Sequence, residues 1–322
     1  FIKFKQWLEP LGLEVVWLSG SQRKKAKDEA KAKLADGTVK IAVGTHALFS
    51  DDVEFQNLGL VIVDEQHRFG VAQRLALKNK GRDVHQLMMS ATPIPRTLAM
   101  SFFADLDVSV IDELPPGRTP IKTRLVNNVR RAEVEGFVLN ICRKGQQAYW
   151  VCPLIEESET LQLQTATETL EQLQAALPEL NIGLVHGRMK AAEKAEVMAE
   201  FAAGRLNVLV ATTVIEVGVD VPNAALMVIE HAERMGLAQL HQLRGRVGRG
   251  AAESVCVLLF AEPLSELAKA RLKVIYEHTD GFEIARQDLN IRGPGEFLGA
   301  RQSGVPMLRF ANLEEDLHLL EQ

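Results

Sequence analysis

Short apolar runs alternate with longer amphipathic stretches along most of the chain. The amphipathic stretches, for example Gln22–Ala35 and Ala191–Ala203, carry apolar residues at helical spacing with charged residues between them. The apolar runs have the length of strands and occupy residues 13–19, 40–45, 60–63, 86–90, 147–155, 181–186, 207–212, 225–229 and 254–260. Because strands buried on both faces are continuously apolar, this alternation predicts an α/β fold of parallel sheets with helices on both faces.

One part of this pattern occurs twice. Gly20–Gly37 and Gly187–Gly204 each enclose a charged helical stretch, with the second glycine 17 positions after the first, and each is followed by an apolar run that ends in threonine. The runs at residues 61–64 and 227–230 also line up. A repeat of about 167 residues is too long for a solenoid. It predicts two copies of one α/β domain, although the shared rhythm of α/β sequences leaves chance similarity open.

The division into domains follows from length and from one proline-rich segment. A chain of 322 residues with 47% hydrophobic residues has room for about two domains. Leu114–Pro120 contains three prolines and a glycine, which favours an interdomain linker over a long loop. We therefore predict a first domain at residues 1–117, a second at residues 118–262, and a C-terminal region at residues 263–322.

Two acids follow the apolar run at residues 60–63. In open α/β sheets ligands bind beyond the carboxyl ends of the strands, so Asp64 is placed to hold Mg²⁺ on a nucleoside triphosphate. The adjacent Glu65 is placed to orient or deprotonate an attacking water. His67, close behind them, is a candidate nucleotide contact. The alternative is a solvated acidic turn after a buried strand.

Three arginines lie within six residues of the segment Gln242–Arg249, with two glycines between them. Guanidinium groups are always charged and bind phosphates bidentately. An arginine that reaches a γ-phosphate from another domain stabilises the charge on the transferring group. We take Arg246 and Arg249 as these arginine fingers. A basic surface turn is the alternative.

These motifs resemble those of superfamily-two helicases and occur along the chain in the same order. In such helicases, two RecA-like domains bind ATP and Mg²⁺ between them. The resemblance implies DNA contacts at Gly44, Thr45, Thr212 and Thr213, and coupling of hydrolysis to movement at Ser90, Ala91 and Thr92. It further implies nucleotide contacts at His67, Gly218, Asp220 and Gln242, beside the catalytic Asp64, Glu65, Arg246 and Arg249.

A closer resemblance is to the RecG branch-migration helicases and the transcription-repair coupling factor. It is carried by residues 67–71, 90–97 and 288–304, and the ending at residues 306–313 together with Gln66 favours RecG. The resemblance implies that Arg271, Arg292 and Gln302 convert domain closure into DNA movement. It places Arg96 near the DNA or the domain cleft. It also implies a helical hairpin and a shaped, glycine-rich loop in the C-terminal region.

The motif that would hold the phosphates is missing. A phosphate loop of the form G-x-x-x-x-G-K-[ST] needs a Gly-Lys pair, and the chain contains none. We therefore expect a truncated first domain, a wedge domain and phosphate loop that lie upstream, and no significant ATPase activity of this chain alone.

Composition limits which kinds of binding site, metal site and membrane segment the chain can have. The net charge is −5, so DNA binding requires a local basic surface. The three cysteines have no C-x-x-C spacing, which argues against zinc and disulfides and fits a reducing cytoplasm. No apolar run is long enough to span a membrane. The expected protein is a monomeric, cytoplasmic, double-strand-translocating helicase that acts on forked or branched DNA. A coupling-factor motor and a non-catalytic DNA-binding scaffold remain as alternatives.

Overall fold

The computed structural model describes residues 1–65, 80–81, 83–90, 107–111, 113, 118, 120–152, 159–212, 221–250 and 253–292. The chain forms two compact units, one ending at residue 91 and one beginning at residue 92. The expected linker at residues 114–120 lies mostly outside the described residues, so the predicted boundary at residue 117 stays a prediction, as does the three-part division.

The described residues of the first unit form two pairs of parallel strands with short helices. Its elements are α1 Ile2–Leu8, a 3₁₀ turn Glu9–Leu11, β1 Val15–Leu18, α2 Lys24–Ala35, β2 Ile41–Gly44, a 3₁₀ turn His46–Phe49, β3 Leu60–Val63 and β4 His85–Met88. Strand β1 pairs with β2, and β3 pairs with β4. A small core holds α2 against β1, through Leu34 and Leu18 among others.

Strand β3 buries only one of its faces within the described residues. Val61 and Val63 are buried, whereas the side chains that alternate with them are more than half exposed, Leu60 at 56% and Ile62 at 54%. A continuous apolar run had predicted burial on both faces. The described part of the first unit places no helix on this second face.

The second unit contains a complete α/β layer structure. Its elements are β5 Lys122–Asn127, a 3₁₀ turn Asn128–Arg130, α3 Arg131–Arg143, β6 Gln147–Cys152, α4 Glu159–Ala176, β7 Ile182–Val185, α5 Ala191–Ala202, β8 Val208–Thr212, β9 Ala224–Ile229, a 3₁₀ turn Ala232–Arg234, α6 Leu237–Arg244, β10 Val255–Phe260, α7 Glu266–Glu277 and α8 Gly281–Arg292.

The six strands form one parallel sheet in the order β5-β10-β9-β6-β8-β7. After β6 the chain builds β7 and β8 on one side, and it then crosses to β9 on the other side. The strand order therefore reverses between β6 and β9. Such a reversal opens a crevice at the carboxyl ends of the strands, where ligands of α/β proteins bind.

A hydrophobic core lies on each face of this sheet, and successive residues of a strand point alternately into one core and the other. In β6, Ala148, Trp150 and Cys152 face helices α3 and α4, whereas Tyr149 and Val151 face helices α5 to α8. All five are 2% exposed or less. This double burial explains the continuous apolar runs of the inner strands and confirms the predicted α/β fold class.

The repeated pattern corresponds to two β-α-β units of the same geometry. Val15 pairs with Ile41 in β1–β2, and Ile182 pairs with Val208 in β7–β8, which is the same register 167 residues later. Helices α2 and α5 both span 12 residues. Both connections to the next strand pass through a glycine with positive φ, 73° at Gly37 and 76° at Gly204.

Candidate functional site

The acidic pair of the first unit stands at the carboxyl end of β3. Asp64 is exposed, and its Oδ1 accepts a hydrogen bond of 2.8 Å from the backbone N–H of Glu65. Glu65 is half-buried and has a φ of 53°, a left-handed conformation that non-glycine residues rarely adopt. Backbone strain of this kind costs on the order of 1–3 kcal/mol and clusters at functional sites. The geometry suits the predicted roles in metal and water binding.

The other predicted residues of the first unit also follow strands. Thr45 is exposed after β2, and its N–H donates to the carbonyl of Leu18 at 3.1 Å. A Cβ on Gly44 would lie 2.2 Å from the same carbonyl oxygen, so only glycine fits there. Ser90 is half-buried after β4. The carboxyl ends of β2, β3 and β4 thus each carry a predicted site residue.

The arginine segment of the second unit begins on α6 and continues in the following turn. Helix α6 buries Leu237, Leu240 and Leu243, and this packing fixes the direction in which the helix ends. Arg246 is half-buried in the turn, and no carboxylate of the described residues forms an ion pair with it. Arg249 is exposed, one residue after Gly248, whose φ is 78°. Two guanidinium groups near one turn can bind a phosphate group.

Other predicted residues of the second unit have more internal positions. Thr212 ends β8 and is 3% exposed, and its Oγ1 has no hydrogen-bond partner among the described residues. Gln242 is half-buried on α6. Arg271, on α7, donates from Nη2 to the carbonyl of Glu233 at 2.8 Å. Arg271 thus anchors the 3₁₀ turn before α6, a structural role that the sequence had not predicted.

His186 is the neighbour of Thr212 at the sheet edge. Val185 pairs with Ala211, so the next residues of the two strands stand side by side. Burial lowers the pKa of His186, and Lys194 and Arg188 lower it further. Its Nδ1 is buried without a partner in the described part of the chain. Two buried polar atoms therefore lie at this edge without a hydrogen-bond partner among the residues that the structure describes.

A buried ion pair lies at the end of β9, next to β6. Glu230, 5% exposed at the end of β9, accepts from Arg131 Nη1 at 2.5 Å and from Trp150 Nε1 at 2.7 Å. The Arg131 guanidinium also lies 5.0 Å from the centre of the Trp150 ring. Glu230 is the residue that aligns with Asp64 in the repeat, but its carboxylate is used internally. The second unit thus carries the cations Arg246 and Arg249 in the turn after α6, and it has no exposed carboxylate at the position that aligns with Asp64.

Several predicted site residues lie outside the described residues. These are His67, Ala91, Thr92, Arg96, Thr213, Gly218, Asp220 and Gln302. Arg292 ends α8, but its side chain also lies outside the described part.

The cysteines carry no reactive chemistry. All three are buried and free, and burial raises the pKa of Cys142 to about 11 and those of Cys152 and Cys256 to about 12. Among the described residues, no cluster of histidine, cysteine and acidic side chains could hold a metal ion, and no helix is long and apolar enough to cross a membrane.

Comparison with known proteins defines the class. The DEAD/DEAH box helicase family matches residues 1–101, and the helicase conserved C-terminal domain matches residues 134–251. Yeast Dbp5 L327V bound to RNA and ADP BeF3 has the same fold, with a TM-score of 0.59 and 15% identity over 90% of this chain and 76% of that chain. The two units are thus similar to the two conserved domains of DEAD/DEAH box helicases.

More specific matches identify the family. The C-terminal part of domain 3 of ATP-dependent DNA helicase RecG matches residues 278–322. RecG of Escherichia coli K12 is 59% identical over 99% of this chain, and RecG of Thermotoga maritima is 53% identical over 96%. A solved structure of RecG bound to a three-way DNA junction covers 100% of this chain and 42% of that chain, with a TM-score of 0.72 and 47% identity.

The chain belongs to the RecG family of ATP-dependent DNA helicases. It spans 47% of the Escherichia coli relative and 40% of the Thermotoga maritima relative.

Proposed function

We propose that this chain is the motor portion of an ATP-dependent DNA helicase that translocates on double-stranded DNA and remodels stalled forks and Holliday junctions. The observation that carries the proposal is that each unit, taken by itself, presents one kind of group that a nucleotide with its metal ion requires. One unit presents an exposed carboxylate, Asp64, at the end of a strand, and the other presents the half-buried Arg246 without a carboxylate partner among the described residues. A nucleotide triphosphate with its metal ion needs both.

The residues of the first half-site fit ATP and Mg²⁺. Asp64 would hold the metal, directly or through water, because hard divalent ions prefer carboxylate oxygens. Bound Mg²⁺ would neutralise charge on the β- and γ-phosphates. Glu65, held half-buried in a left-handed conformation, would orient the attacking water.

The second unit would supply the cations that bind the phosphates. Arg246 and Arg249 would donate to the γ-phosphate, because guanidinium groups stabilise charge that spreads over the phosphoryl oxygens. The family motifs add four nucleotide contacts to this proposal, His67, Gly218, Asp220 and Gln242.

The remaining predicted residues would act on DNA. Gly44, Thr45, Arg96, Thr212 and Thr213 would contact the strands, and Thr212 brings a buried hydroxyl without a protein partner in the described part of the chain. Ser90, Ala91 and Thr92 would couple hydrolysis to movement, and Arg271, Arg292 and Gln302 would transmit it to the duplex. Branched double-stranded DNA is the proposed partner, and we propose a monomer in the cytoplasm.

The alternatives fit less well. A coupling-factor motor is disfavoured because a RecG-specific family matches residues 278–322. A non-catalytic scaffold would have no use for an exposed Asp64 in one unit and, in the other, a half-buried Arg246 that has no carboxylate partner among the described residues. We also propose that the chain alone hydrolyses no ATP, because it has no Gly-Lys pair for a phosphate loop. Robust DNA-stimulated turnover by the purified 322-residue chain would contradict this.

The test of the nucleotide site uses the full-length protein that contains this chain. We would measure DNA-stimulated ATP hydrolysis for the wild type, Asp64→Asn and Arg246→Ala. Each variant should lose 100-fold or more, on the order of what one charge-stabilising donor contributes. The matched control is Arg205→Ala, an exposed arginine whose ion pair in the described part of the chain is with Glu200, and this variant should keep wild-type activity. Activity in Arg246→Ala equal to the control would refute the site.

A further inference from the structure

The first arginine of the arginine segment has an unusual environment. Arg244 is the last residue of α6 and is only 3% exposed. No carboxylate of the described residues forms an ion pair with it, and burial lowers its pKa. A buried cation without a counter-ion is costly unless hydrogen bonds satisfy its donors. The surroundings of Arg244 must therefore compensate its charge.

The compensation comes mainly from the end of another helix. Arg244 Nη1 donates to the carbonyls of Ile275 at 2.8 Å and His278 at 2.9 Å, and Nη2 donates to that of Thr279 at 3.5 Å. Ile275 lies in the last turn of α7, and His278 caps it. Carbonyls at a helix C-terminus lack partners within the helix and carry partial negative charge. Arg244 thus caps α7 from a neighbouring helix.

Two further contacts extend this arrangement. Nη1 of Arg244 also donates to Thr123 Oγ1 in β5 at 3.2 Å, and Nη2 lies 3.0 Å from Nδ1 of His241, one turn earlier on α6. Because the guanidinium can only donate, His241 Nδ1 is the acceptor and its proton is on Nε2. A Cβ on Gly281, the first residue of α8, would lie 2.9 Å from that Nε2. Helix α8 therefore begins in close contact with α6.

These contacts join three helices at one point. We call Arg244, His241 and Gly281 the α6 latch. Helix α6 leads within two residues to Arg246, and helices α7 and α8 carry Arg271 and Arg292. The latch therefore links the turn that carries the proposed arginine fingers to the helical pair that carries the proposed translocation residues.

We propose that Arg244 is a positioning residue whose hydrogen bonds make α6 and the α7–α8 pair move as one body, so that a displacement of Arg246 reaches the DNA-moving helices. This rests on the proposed function. Arg244 itself touches neither nucleotide nor DNA in this account. Lysine cannot replace it, because an ammonium group has three donors and no planar fork to span helix-end carbonyls, a strand hydroxyl and an imidazole.

The test compares Arg244→Lys, Gly281→Ala and the control Arg205→Ala in the full-length protein. Two rates are measured for each, DNA-stimulated ATP hydrolysis and unwinding of a forked duplex, and their ratio gives base pairs opened per ATP. In Arg244→Lys, the rate of ATP hydrolysis should stay within about threefold of wild type. The number of base pairs opened per ATP should fall tenfold or more. Gly281→Ala, which crowds His241 without removing a charge, should change the ratio in the same direction.

The outcomes distinguish a failure of the proposal about Arg244 from a failure of the proposed function. If hydrolysis and unwinding fall in parallel in both latch variants, or if neither rate changes, the proposal is wrong. If Arg244→Lys does not fold, as shown by loss of its thermal transition, the ratio in Gly281→Ala decides. If the wild type shows no DNA-stimulated hydrolysis, the proposed function has failed, rather than the latch.

Discussion

His241 makes the stability of the second unit sensitive to mild acid. Its Nδ1 accepts from Arg244 at 3.0 Å, so protonation would remove an acceptor and place a second cation beside a buried one. Burial, aided by the charges of Arg244 and Arg118 and opposed by Asp280, lowers the pKa of His241 to about 4. The folded state thus holds His241 neutral, whereas the unfolded chain binds a proton near the ordinary pKa of about 6.5.

Proton linkage gives the sign and the size of the change in unfolding free energy with pH. Between pH 6.5 and about 4 the unfolded state binds more protons than the folded state, so stability is complete above pH 6.5 and is lost as the pH falls. With these two pKa values, His241 removes about 2 kcal/mol of unfolding free energy between pH 7 and pH 5. An asparagine should remove this loss, because its Oδ1 can accept from Arg244 and does not titrate.

The assay is urea unfolding at pH 7 and pH 5, followed by tryptophan fluorescence. Trp150 is the single tryptophan of the second unit, so Trp7 and Trp17 of the first unit are replaced by phenylalanine in both proteins. The free-energy loss between the two pH values should be about 2 kcal/mol smaller in His241→Asn than in the parent. Equal losses in the two proteins would refute the linkage.

Three further predictions follow from buried contacts and from the acidic pair. Glu230→Ala should lower the unfolding free energy of the second unit by about 3 kcal/mol, because it removes one of the two described carboxylates that pair with the mostly buried Arg131, the other being Glu135, and leaves a buried indole N–H without its acceptor. The control Glu179→Ala, at an exposed pair, should cost less than about 1 kcal/mol in the same urea titration. Gly44→Ala should destabilise the first unit by roughly 2 kcal/mol or more, since its Cβ would overlap the Leu18 carbonyl, and an unchanged thermal midpoint would contradict this. Asp64→Asn should weaken the Mg²⁺ dependence of ATP hydrolysis in the full-length protein, measured by metal titration; an unchanged midpoint would remove Asp64 from the metal site.

Local patterns predicted much of the fold. The inner strands of the second unit are apolar throughout because both faces are covered, so their positions follow from hydrophobicity alone. Strand β5 was missed because it lies at the edge of the sheet, where Lys122 is exposed and polar residues alternate with apolar ones. The repeated β-α-β unit was found because Gly37 and Gly204 punctuate it at equal spacing.

Contacts between distant residues could not be predicted in this way. Glu230 meets Arg131, 99 residues away, and nothing near either residue indicates the pair. Arg244 resembles Arg246 in the sequence, yet one is buried against α7 and the other is half-buried in a turn. The difference arises from the packing of α6, and no local pattern encodes it. Asp64 and Glu65 were selected as candidates because strand ends in α/β sheets carry ligands, and their roles stay predictions.

The most direct test of the central claim is ATP hydrolysis by the full-length protein with forked DNA, with linear duplex and without DNA. An Arg246→Ala variant is measured beside it. The account predicts strong stimulation by forks, weaker stimulation by linear duplex, and loss of both in the variant. Equal rates on fork and linear duplex would contradict a branch-specific motor, and a fully active variant would contradict the arginine finger.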